Sequence, residues 1–413
     1  MDKSDVRTPA IERTACPLCG GERVDALYTL QHQGGDYIGS YASSIVQCVR
    51  CGFIFQNPQP TSEMLLRYYL HDQSSSGQIS RDRSRGSAYW RLMESLAKMV
   101  GELNPRKGAK LLDVGSGSGT IVQMLREFYE VEAEGIDPAP KAVALARESG
   151  IPVSQYSLED FSGQAKSGRY QIVTMFNVLE HLKNPRTLIA RVRDLLAPGG
   201  HLVITVPDSR RPFLTLAEFF SYEHLSHFSS DTLANLLQAE GFRIDHWDAP
   251  PGTFPLLRFW ATRVSKKKKL AAVQDQATAE VIRAYSRDKA DLHERYVRQI
   301  LPMMRHYKNQ GRRIALYGAG AHSRYLFAHH DLSNLIDTVL ESDQRKWGSR
   351  FGRLTVQSPS VLDTGDVDVC LISSYRFEEE IYRSLSPARD RGIKVLRLYG
   401  ERGRQVSGEL RAS

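Results

Sequence analysis

The stretch KLLDVGSGSGT, residues 110–120, decides the fold class of the chain. It begins as a short apolar strand and continues through Gly115, Gly117 and Gly119 into an amphipathic sequence typical of a helix. Glycines at such a turn let the main chain approach a ligand closely, at the positive end of a helix dipole. The stretch therefore predicts a cofactor site at the carboxyl end of a parallel strand.

Acidic residues around the glycines favour S-adenosylmethionine (SAM) over a dinucleotide. Asp113 precedes the glycines and can hold the ammonium group of SAM directly or through water. Asp137 ends the next strand, where an acid accepts hydrogen bonds from ribose hydroxyls. Asp160 lies where such folds meet the adenine amino group. The alternative, an NAD-binding unit, would need its own substrate domain and hydride-transfer site, so the ordered motifs predict SAM.

Four of the five cysteines form two Cys-x-x-Cys-Gly units near the N-terminus, Cys16/Cys19 and Cys48/Cys51. Each unit can aim two thiolates at one ion, and two units complete a tetrahedral site with no open position. The spacing therefore predicts a structural Zn²⁺ in a ribbon with a hairpin between its two knuckles. Unrelated cysteines or a redox dithiol are the alternatives.

The hydrophobic pattern divides the chain into five sections and predicts an α/β fold. Four strands, KLLDVG, EAEGIDP, YQIVTMFNVLEH and GHLVITVPD, alternate with helices as in a doubly wound parallel sheet of class I SAM type, and the third strand is predicted to end at His181. A second βα series occupies the C-terminal part. The predicted sections are a zinc-binding ribbon at 1–58, a helical segment covering the active site at 59–107, a SAM-binding domain at 108–260, a helical connector at 261–309 and a Rossmann-like domain at 310–413.

Composition narrows the class of protein and of partner. The 413 residues carry a formal net charge of +8, which would suit nucleic acid, a membrane surface or a phosphorylated small molecule. The basic residues do not collect into an arm with interleaved aromatics, so we favour a diphosphate-bearing substrate over nucleic acid. No apolar run reaches the roughly 18 residues of a membrane span, and the N-terminus lacks a signal-peptide core. The sequence predicts a cytoplasmic protein, monomeric or weakly dimeric, with no membrane partner.

Candidate acid and base residues stand near the carboxyl edge of the predicted sheet. They are His181 and the group Tyr222, Glu223 and His224 in the segment SYEHLSHF. Methylation of a carbon requires removal of a proton made acidic by an adjacent carbonyl, and an imidazole with a pKa near neutrality suits that step. A polar loop that merely crosses the cleft is the alternative interpretation.

Motifs from every part of the chain occur together, in the same order, in one known family. CPLCG…CVRCGFIFQNPQP, then LLDVGSGSGT, NVLEHLKNP and PGG, then YEHLSHFS, and finally RRIALYGAGAH cover nearly the whole sequence. They resemble the zinc-binding, SAM-binding, active-site and C-terminal Rossmann-like parts of the sugar-nucleotide C-methyltransferases of deoxysugar pathways. Those enzymes methylate a TDP-linked 4-keto-6-deoxysugar at carbon 3.

This resemblance implies roles for the candidate residues. His224 would remove the proton, Glu223 would support it and His181 would lie against the enolate, while Asn177 of NVLEHLKNP would belong to the cofactor site. The family carries Tyr-His before Glu-His where this chain has Ser221-Tyr222.

The C-terminal domain would close over the nucleotide end of the substrate. Gly318 and Gly320 could cradle a phosphate or merely form the turn, and His322 follows them. This loop continues differently from the family's, so a different nucleotide or sugar is an alternative. Three other functions stay open: an O- or N-methyltransferase of a small metabolite, a non-catalytic scaffold, and a nucleic-acid methyltransferase, which would lack its usual Pro-Pro-Tyr/Phe motif.

Overall fold

The computed structural model describes residues 10–33, 39–71, 85–251, 254–273, 275–330 and 332–400. The described residues form two compact units, one within Met1–Arg210 and Phe220–Arg283 and the other within Arg211–Phe219 and Ala284–Ser413. The outer ends of the predicted sections, residues 1–9 and 401–413, lie outside the described residues. No helix in the described part of the chain combines the length and the apolar character needed to cross a membrane.

The first unit begins with two small antiparallel sheets. β1 (Ile11–Glu12) pairs with β5 (Gln59–Pro60). The larger sheet has the order β11-β4-β3-β2, with β2 at Val24–Gln33, β3 at Ser40–Cys48, β4 at Ile54–Asn57 and β11 at Ser226–His227. β11 comes from a distant part of the chain. The edge strand of the N-terminal sheet is therefore formed by the segment that contains the candidate base His224.

The two cysteine knuckles stand at the ends of these strands. Cys48 is the last residue of β3, and the turn that follows carries Cys51 and Gly52. Gly52 has a φ of +74°, and a Cβ at this position would overlap the carbonyl oxygen of Val273. The Val273 N–H also donates to the Cys51 carbonyl at 3.1 Å. The second knuckle therefore packs directly against the segment that precedes a long helix.

Two helices connect the N-terminal sheets to the central sheet. α1 spans Ser62–His71 and α2 spans Ala88–Gly101. Ser87 caps α2, because its hydroxyl accepts a hydrogen bond from the Trp90 N–H. Both helices lie where the sequence predicted a helical segment.

A seven-stranded sheet with the order β12-β13-β10-β9-β6-β7-β8 forms the centre of the first unit. Its strands are β6 (Lys110–Val114), β7 (Glu132–Asp137), β8 (Val153–Gln155), β9 (Tyr170–Phe176), β10 (Leu196–Pro207), β12 (Phe242–Asp248) and β13 (Leu256–Arg263). β13 pairs antiparallel with both β10 and β12, and the pairs among the other five strands are parallel.

Helices cover both faces of this sheet, as expected for a doubly wound fold. They are α3 (Thr120–Tyr129), α4 (Pro140–Glu148), α5 (Leu158–Gln164), α6 (Pro185–Leu195) and α7 (Ser230–Ala239). Along β6, Leu112 and Val114 enter one core and Leu111 enters another, because side chains alternate across a strand. The α/β fold class and its central SAM-type sheet are confirmed.

Two details differ from the sequence-based description. The third predicted strand, β9, ends at Phe176, so the prediction that it reaches His181 is wrong. Asn177 adopts a left-handed φ of +55°, which turns the chain, and Leu179–His181 form one 3₁₀ turn. The predicted boundary at residue 260 also falls inside β13, because that strand pairs with β10 and β12 up to Arg263.

The second unit is a separate α/β fold. Helix α8 (Gln276–Arg295), a π-helical turn at Tyr296–Ile300 and α9 (Leu301–Asn309) lead into it. Its six-stranded sheet has the order β16-β17-β15-β14-β18-β19, parallel except for the β16–β17 pair. The remaining elements are β14 (Ile314–Tyr317), α10 (Ala321–His329), β15 (Thr338–Leu340), β16 (Arg350–Phe351), β17 (Leu354–Gln357), β18 (Val369–Ile372), α11 (Glu378–Ser384), α12 (Ser386–Asp390) and β19 (Lys394–Arg397).

Gly20 and Gly52, the glycines of the two cysteine knuckles, provide a matched test of the packing of Gly52 against Val273. Gly20 and Gly52 both follow a Cys-x-x-Cys unit and both have a positive φ, but a Cβ on Gly20 would meet nothing within 4 Å. We expect Gly20→Ala to cost about 1–2 kcal/mol for the left-handed backbone alone. Gly52→Ala should cost about 2 kcal/mol more, because the main chain at Val273 must move. Equal shifts in the urea midpoints of the two variants would contradict this packing.

Candidate active site

The glycine turn after β6 is closed by contacts that leave little room for side chains. Gly115 has a φ of +73°, and a Cβ there would overlap a methyl group of Val178. The N–H of Gly115 donates to the Ile136 carbonyl at 2.9 Å, which ties the turn to β7. Gly117 and Gly119 also have positive φ values, of 54° and 77°, and Gly119 caps α3. The turn therefore needs glycine for its backbone conformation as well as for close approach.

Two buried carboxyl groups flank this turn at the ends of adjacent strands. Asp113 is 2% exposed and accepts a hydrogen bond from the Thr174 hydroxyl at 2.6 Å. Asp137 accepts N–H bonds from Gly117 and Ala139, both at 2.8 Å. Burial raises the pKa of Asp113 to about 6 and also raises the pKa of Asp137. A ligand whose ammonium or hydroxyl groups donate hydrogen bonds would stabilise both carboxyl groups in their ionised forms. The two carboxyl groups therefore fit SAM as a ligand.

The other predicted cofactor residues lie at two further strand ends. Asp160 is exposed in the first turn of α5, and its carboxylate accepts a hydrogen bond from the Ser157 hydroxyl at 2.7 Å. Asn177 is half-buried after β9, and its side-chain oxygen accepts from the Thr205 hydroxyl at 3.2 Å. Their assignment to the cofactor remains a prediction.

The two candidate histidines lie side by side, although 43 positions separate them in the chain. The rings of His181 and His224 have centroids 4.8 Å apart and an interplanar angle of 72°. Nδ1 of His181 lies 3.0 Å from the main-chain oxygen of Glu223. The Leu225 N–H donates to the Glu180 carbonyl at 2.8 Å. Main-chain hydrogen bonds therefore hold the loop of residues 221–225 against the turn that follows β9.

Aromatic side chains from the N-terminal part form a wall on this loop. Tyr68 of α1 donates to the Glu223 carboxylate at 3.3 Å, and its ring meets the Tyr222 ring edge-on at 5.4 Å. Tyr41 of β3 donates to the Tyr222 carbonyl at 3.4 Å. Tyr69 is half-buried, and its hydroxyl has no hydrogen-bond partner among the described residues. The sequence did not indicate Tyr41, Tyr68 or Tyr69 as site residues. Tyrosines in a helix or a strand occur at the same spacing as ordinary core residues.

Glu180 is a further residue that the sequence did not single out as functional. Its side chain is buried, and neither carboxyl oxygen has a hydrogen-bond partner among the described residues. One carboxyl oxygen of Glu180 and one ring nitrogen each of His181 and His224, atoms of the kind that bind metal ions, lie within 4.8 Å of one another. Its position directly before His181 was the one available signal. The cluster thus contains a carboxyl group that the predicted site lacked.

Burial controls the protonation of this cluster. It lowers the pKa of His181 to about 4, and together with the neighbouring His181 and His227 it lowers the pKa of His224 well below its usual range. The His224 imidazole is therefore neutral at pH 7 and has a lone pair for a proton, but its pKa lies below the near-neutral value expected of the base from the sequence. The same burial raises the pKa of Glu180 to about 8. The arrangement can remove a proton from an acidic carbon or hydroxyl.

The four predicted zinc ligands come together in the N-terminal part. Cys16, Cys19, Cys48 and Cys51 place their sulfur atoms within 4.8 Å of one another, and the Cys16–Cys51 and Cys19–Cys48 pairs are each 3.5 Å apart. Tetrahedral coordination with Zn–S bonds of about 2.3 Å would separate sulfur atoms by roughly 3.7 Å. Four thiols at this spacing, three of them buried, fit a closed structural zinc site.

The predicted substrate residues of the C-terminal unit surround the turn after β14. Gly318 has a φ of +116°, and Gly320 precedes α10, where a Cβ would meet nothing within 4 Å. The His322 ring is hydrogen-bonded to the Tyr399 hydroxyl, and burial lowers the pKa of His322 to about 4. The role of this turn remains a prediction.

Comparison with known protein families identifies two domains in the chain. Residues 86–246 match a methyltransferase domain. Residues 257–398 match a C-methyltransferase C-terminal domain. The methyltransferase domain implies SAM as the methyl donor.

Curated relatives match a part of the chain. A ubiquinone biosynthesis O-methyltransferase of Cronobacter sakazakii is 36% identical over 102 residues, which cover 23% of this chain and 41% of the relative. The O-methyltransferase cnsE of Penicillium expansum is 29% identical over 189 residues, covering 41% of this chain and 66% of the relative. The chain thus spans less than two thirds of the length of these relatives.

Among solved structures, the 1,6-didemethyltoxoflavin-N1-methyltransferase of Burkholderia thailandensis is 20% identical and aligns with 54% of this chain and 96% of its own, with a TM-score of 0.41. No functional conclusion follows from so low a score. The two domain matches together cover nearly three quarters of the sequence. The chain therefore belongs to the proteins that combine a methyltransferase domain with a C-methyltransferase C-terminal domain.

Proposed function

We propose that the protein is a SAM-dependent C-methyltransferase that acts on a nucleotide-linked 4-keto-6-deoxysugar, at the carbon beside the ketone. The observation that supports this best is the pair His181 and His224, 4.8 Å apart, beside the carboxyl edge of the central sheet. A neutral imidazole pair suits the removal of a proton from carbon, and the C-terminal domain is of a type named for C-methylation.

The cofactor would lie over the glycine turn. We assign Asp113 to its ammonium group, Asp137 to its ribose, Asp160 to its adenine and Asn177 to the rim of the same site. When bound, SAM supplies a methyl group on a sulfonium, which makes that carbon electrophilic. The close packing of Gly115 and Gly119 on neighbouring side chains would keep the turn rigid during binding.

The proposed base is His224. Its neutral imidazole takes the proton from carbon 3 of the sugar, and the electron pair of the C–H bond becomes the enolate that accepts the methyl group. His181 would lie against the enolate oxygen, Glu223 would support the imidazolium, and Tyr222 would face the sugar. The main-chain hydrogen bonds of the 221–225 loop position these groups before substrate binds, which reduces reorganisation during the reaction.

The nucleotide end of the substrate would bind the C-terminal unit. Gly318 and Gly320 would approach the diphosphate, with His322 beside them. The formal net charge of +8 favours such an anionic small molecule. We propose a monomer or weak dimer that binds no nucleic acid.

An O-methyltransferase is the second candidate, because the curated relatives carry that name. Deuterium exchange separates the two reactions. With a TDP-4-keto-6-deoxysugar in D₂O and S-adenosylhomocysteine in place of SAM, a C-methyltransferase should exchange the proton at carbon 3, as measured by NMR. Absence of exchange, with methyl transfer to oxygen, would exclude the proposed reaction.

Replacement of the base tests the mechanism. We expect His224→Asn to bind SAM normally in calorimetry but to lose both turnover and deuterium exchange by at least about 100-fold, because no neutral imidazole accepts the proton. The matched control is His293→Asn, an exposed histidine on α8. Near-normal exchange in the His224 variant would remove this residue from the mechanism.

Replacement of a cysteine tests the proposed zinc site. We expect Cys48→Ser to lose most of its zinc and to melt at a lower temperature, because one missing ligand opens a structural site. Cys370→Ser, which changes the buried cysteine outside the cluster, should keep its zinc. Metal analysis of both purified proteins measures the difference, and full zinc content in the Cys48 variant would refute the assignment.

A further inference from the structure

Glu180 is the one carboxyl group of the histidine cluster for which the proposed reaction gives no task. It is 1% exposed, and neither of its oxygens has a hydrogen-bond partner in another described residue, although its own backbone N–H faces the carboxyl group. An ionised carboxylate without a partner in such a place costs several kcal/mol. Some other species must therefore neutralise Glu180, either a proton or a cation.

The tautomer of His181 shows where a proton is needed. Nδ1 of this ring lies 3.0 Å from the Glu223 carbonyl, which can only accept, so Nδ1 carries a hydrogen. In the neutral ring Nε2 then has a lone pair, and it lies 3.9 Å from Oε1 of Glu180. Two acceptors that face each other repel unless a proton lies between them. The gap is about 1 Å longer than a hydrogen bond, so the bond requires a rotation of the Glu180 or His181 side chain.

No permanent positive charge lies beside Glu180 among the described residues. The other titratable groups that face Glu180 are Glu223, Tyr69 and His224. None of these is a permanent cation, and the Glu223 carboxylate makes a second negative charge still more costly.

We propose that Glu180 is a neutral carboxylic acid at neutral pH and donates a hydrogen bond to Nε2 of His181. This bond fixes the tautomer and the angle of the His181 ring beside His224, so Glu180 is a positioning residue. Burial that raises the pKa of Glu180 to about 8 agrees with this assignment. The relevance for catalysis rests on the proposed function, but the protonation of Glu180 does not.

Infrared spectroscopy of the protein without cofactor or substrate tests the protonation directly. With ¹³C-labelled glutamate, the carbonyl band of a protonated carboxylic acid should be present at pH 6.5 and disappear with a midpoint near pH 8. Glu180→Gln should lack the band, whereas Glu223→Gln should keep it. A wild-type protein with no such band at pH 6.5 would overturn the proposal. So would a metal ion beyond the zinc that is lost on Glu180→Gln, because a cation would then neutralise the carboxylate.

Thermal stability gives a second readout that does not depend on activity. The pKa of Glu180 in the folded protein lies above its ordinary value, so the folded state loses stability as the pH rises from about 4.5 towards 8. Glu180→Gln cannot ionise and should escape this loss. We expect the melting temperature of the variant minus that of the wild type to increase as the pH rises from 5 to 9. A constant difference over this range would contradict the proposal.

The pH profile of methyl transfer tests the positioning role. We expect Glu180→Ala to lower kcat by at least about 10-fold, because the His181 ring loses its partner. Glu180→Gln keeps an N–H donor for Nε2 and should restore part of that loss. We expect the wild-type kcat to fall above pH 8, and Glu180→Gln should remove that fall. If Glu180→Gln and Glu180→Ala behave alike at every pH, Glu180 does not act through His181.

Failure of these experiments can be told apart from failure of the proposed function. If the infrared band is present but no sugar nucleotide exchanges its proton, Glu180 is correctly assigned and the substrate is wrong. If exchange depends on His224 but the band is absent, the mechanism stands without the Glu180 proton.

Discussion

The hydrogen bond from the Leu225 N–H to the Glu180 carbonyl is the interaction on which the proposed active site depends. It joins the turn after β9, in the central sheet, to a loop whose sequence position is more than forty residues away. The Leu225 carbonyl in turn accepts the Gln56 N–H at 3.0 Å, so the same residue is also bonded to the N-terminal sheet. Through this one residue, three segments of the chain hold His181 and His224 together.

The N-terminal sheet supports this arrangement mechanically. β11 begins one residue after Leu225 and pairs with β4, with Ser226 opposite Phe55 and His227 opposite Ile54. β4 follows directly on the second cysteine knuckle. A zinc ion in that knuckle would fix the start of β4 and, through β11, the loop that carries His224. A structural metal can therefore affect catalysis without touching the substrate, because it limits the motion of the strand on which the loop rests.

Burial determines the chemistry of the cluster. Removing charged groups from water favours neutral imidazoles and neutral carboxyls, which is the direction of the pKa shifts at His181, His224 and Glu180. Neutral imidazoles have a lone pair that can accept a proton, and an anion that forms beside them does not meet a further negative charge at Glu180 if that residue keeps its proton. The carboxyl groups of Asp113 and Asp137 differ in that hydrogen-bond donors already contact them, so they can ionise when a cationic ligand binds.

The sequence by itself determined the features that depend on neighbouring residues. The turn at 110–120, the two Cys-x-x-Cys knuckles and the alternation of strands and helices are local patterns, and the structure contains each of them. The strand before His181 was predicted five residues too long, because the apolar run continues past Asn177 and only its left-handed backbone ends the strand.

The tertiary structure decided which side chains meet. The closeness of His181 to His224, the tyrosine wall from α1 and β3, and the burial of Glu180 away from hydrogen-bond partners in the described part of the chain depend on contacts between distant segments. The hydrophobic periodicity of the sequence does not predict such contacts. It shows which face of a helix or strand is buried, but not the element against which that face packs.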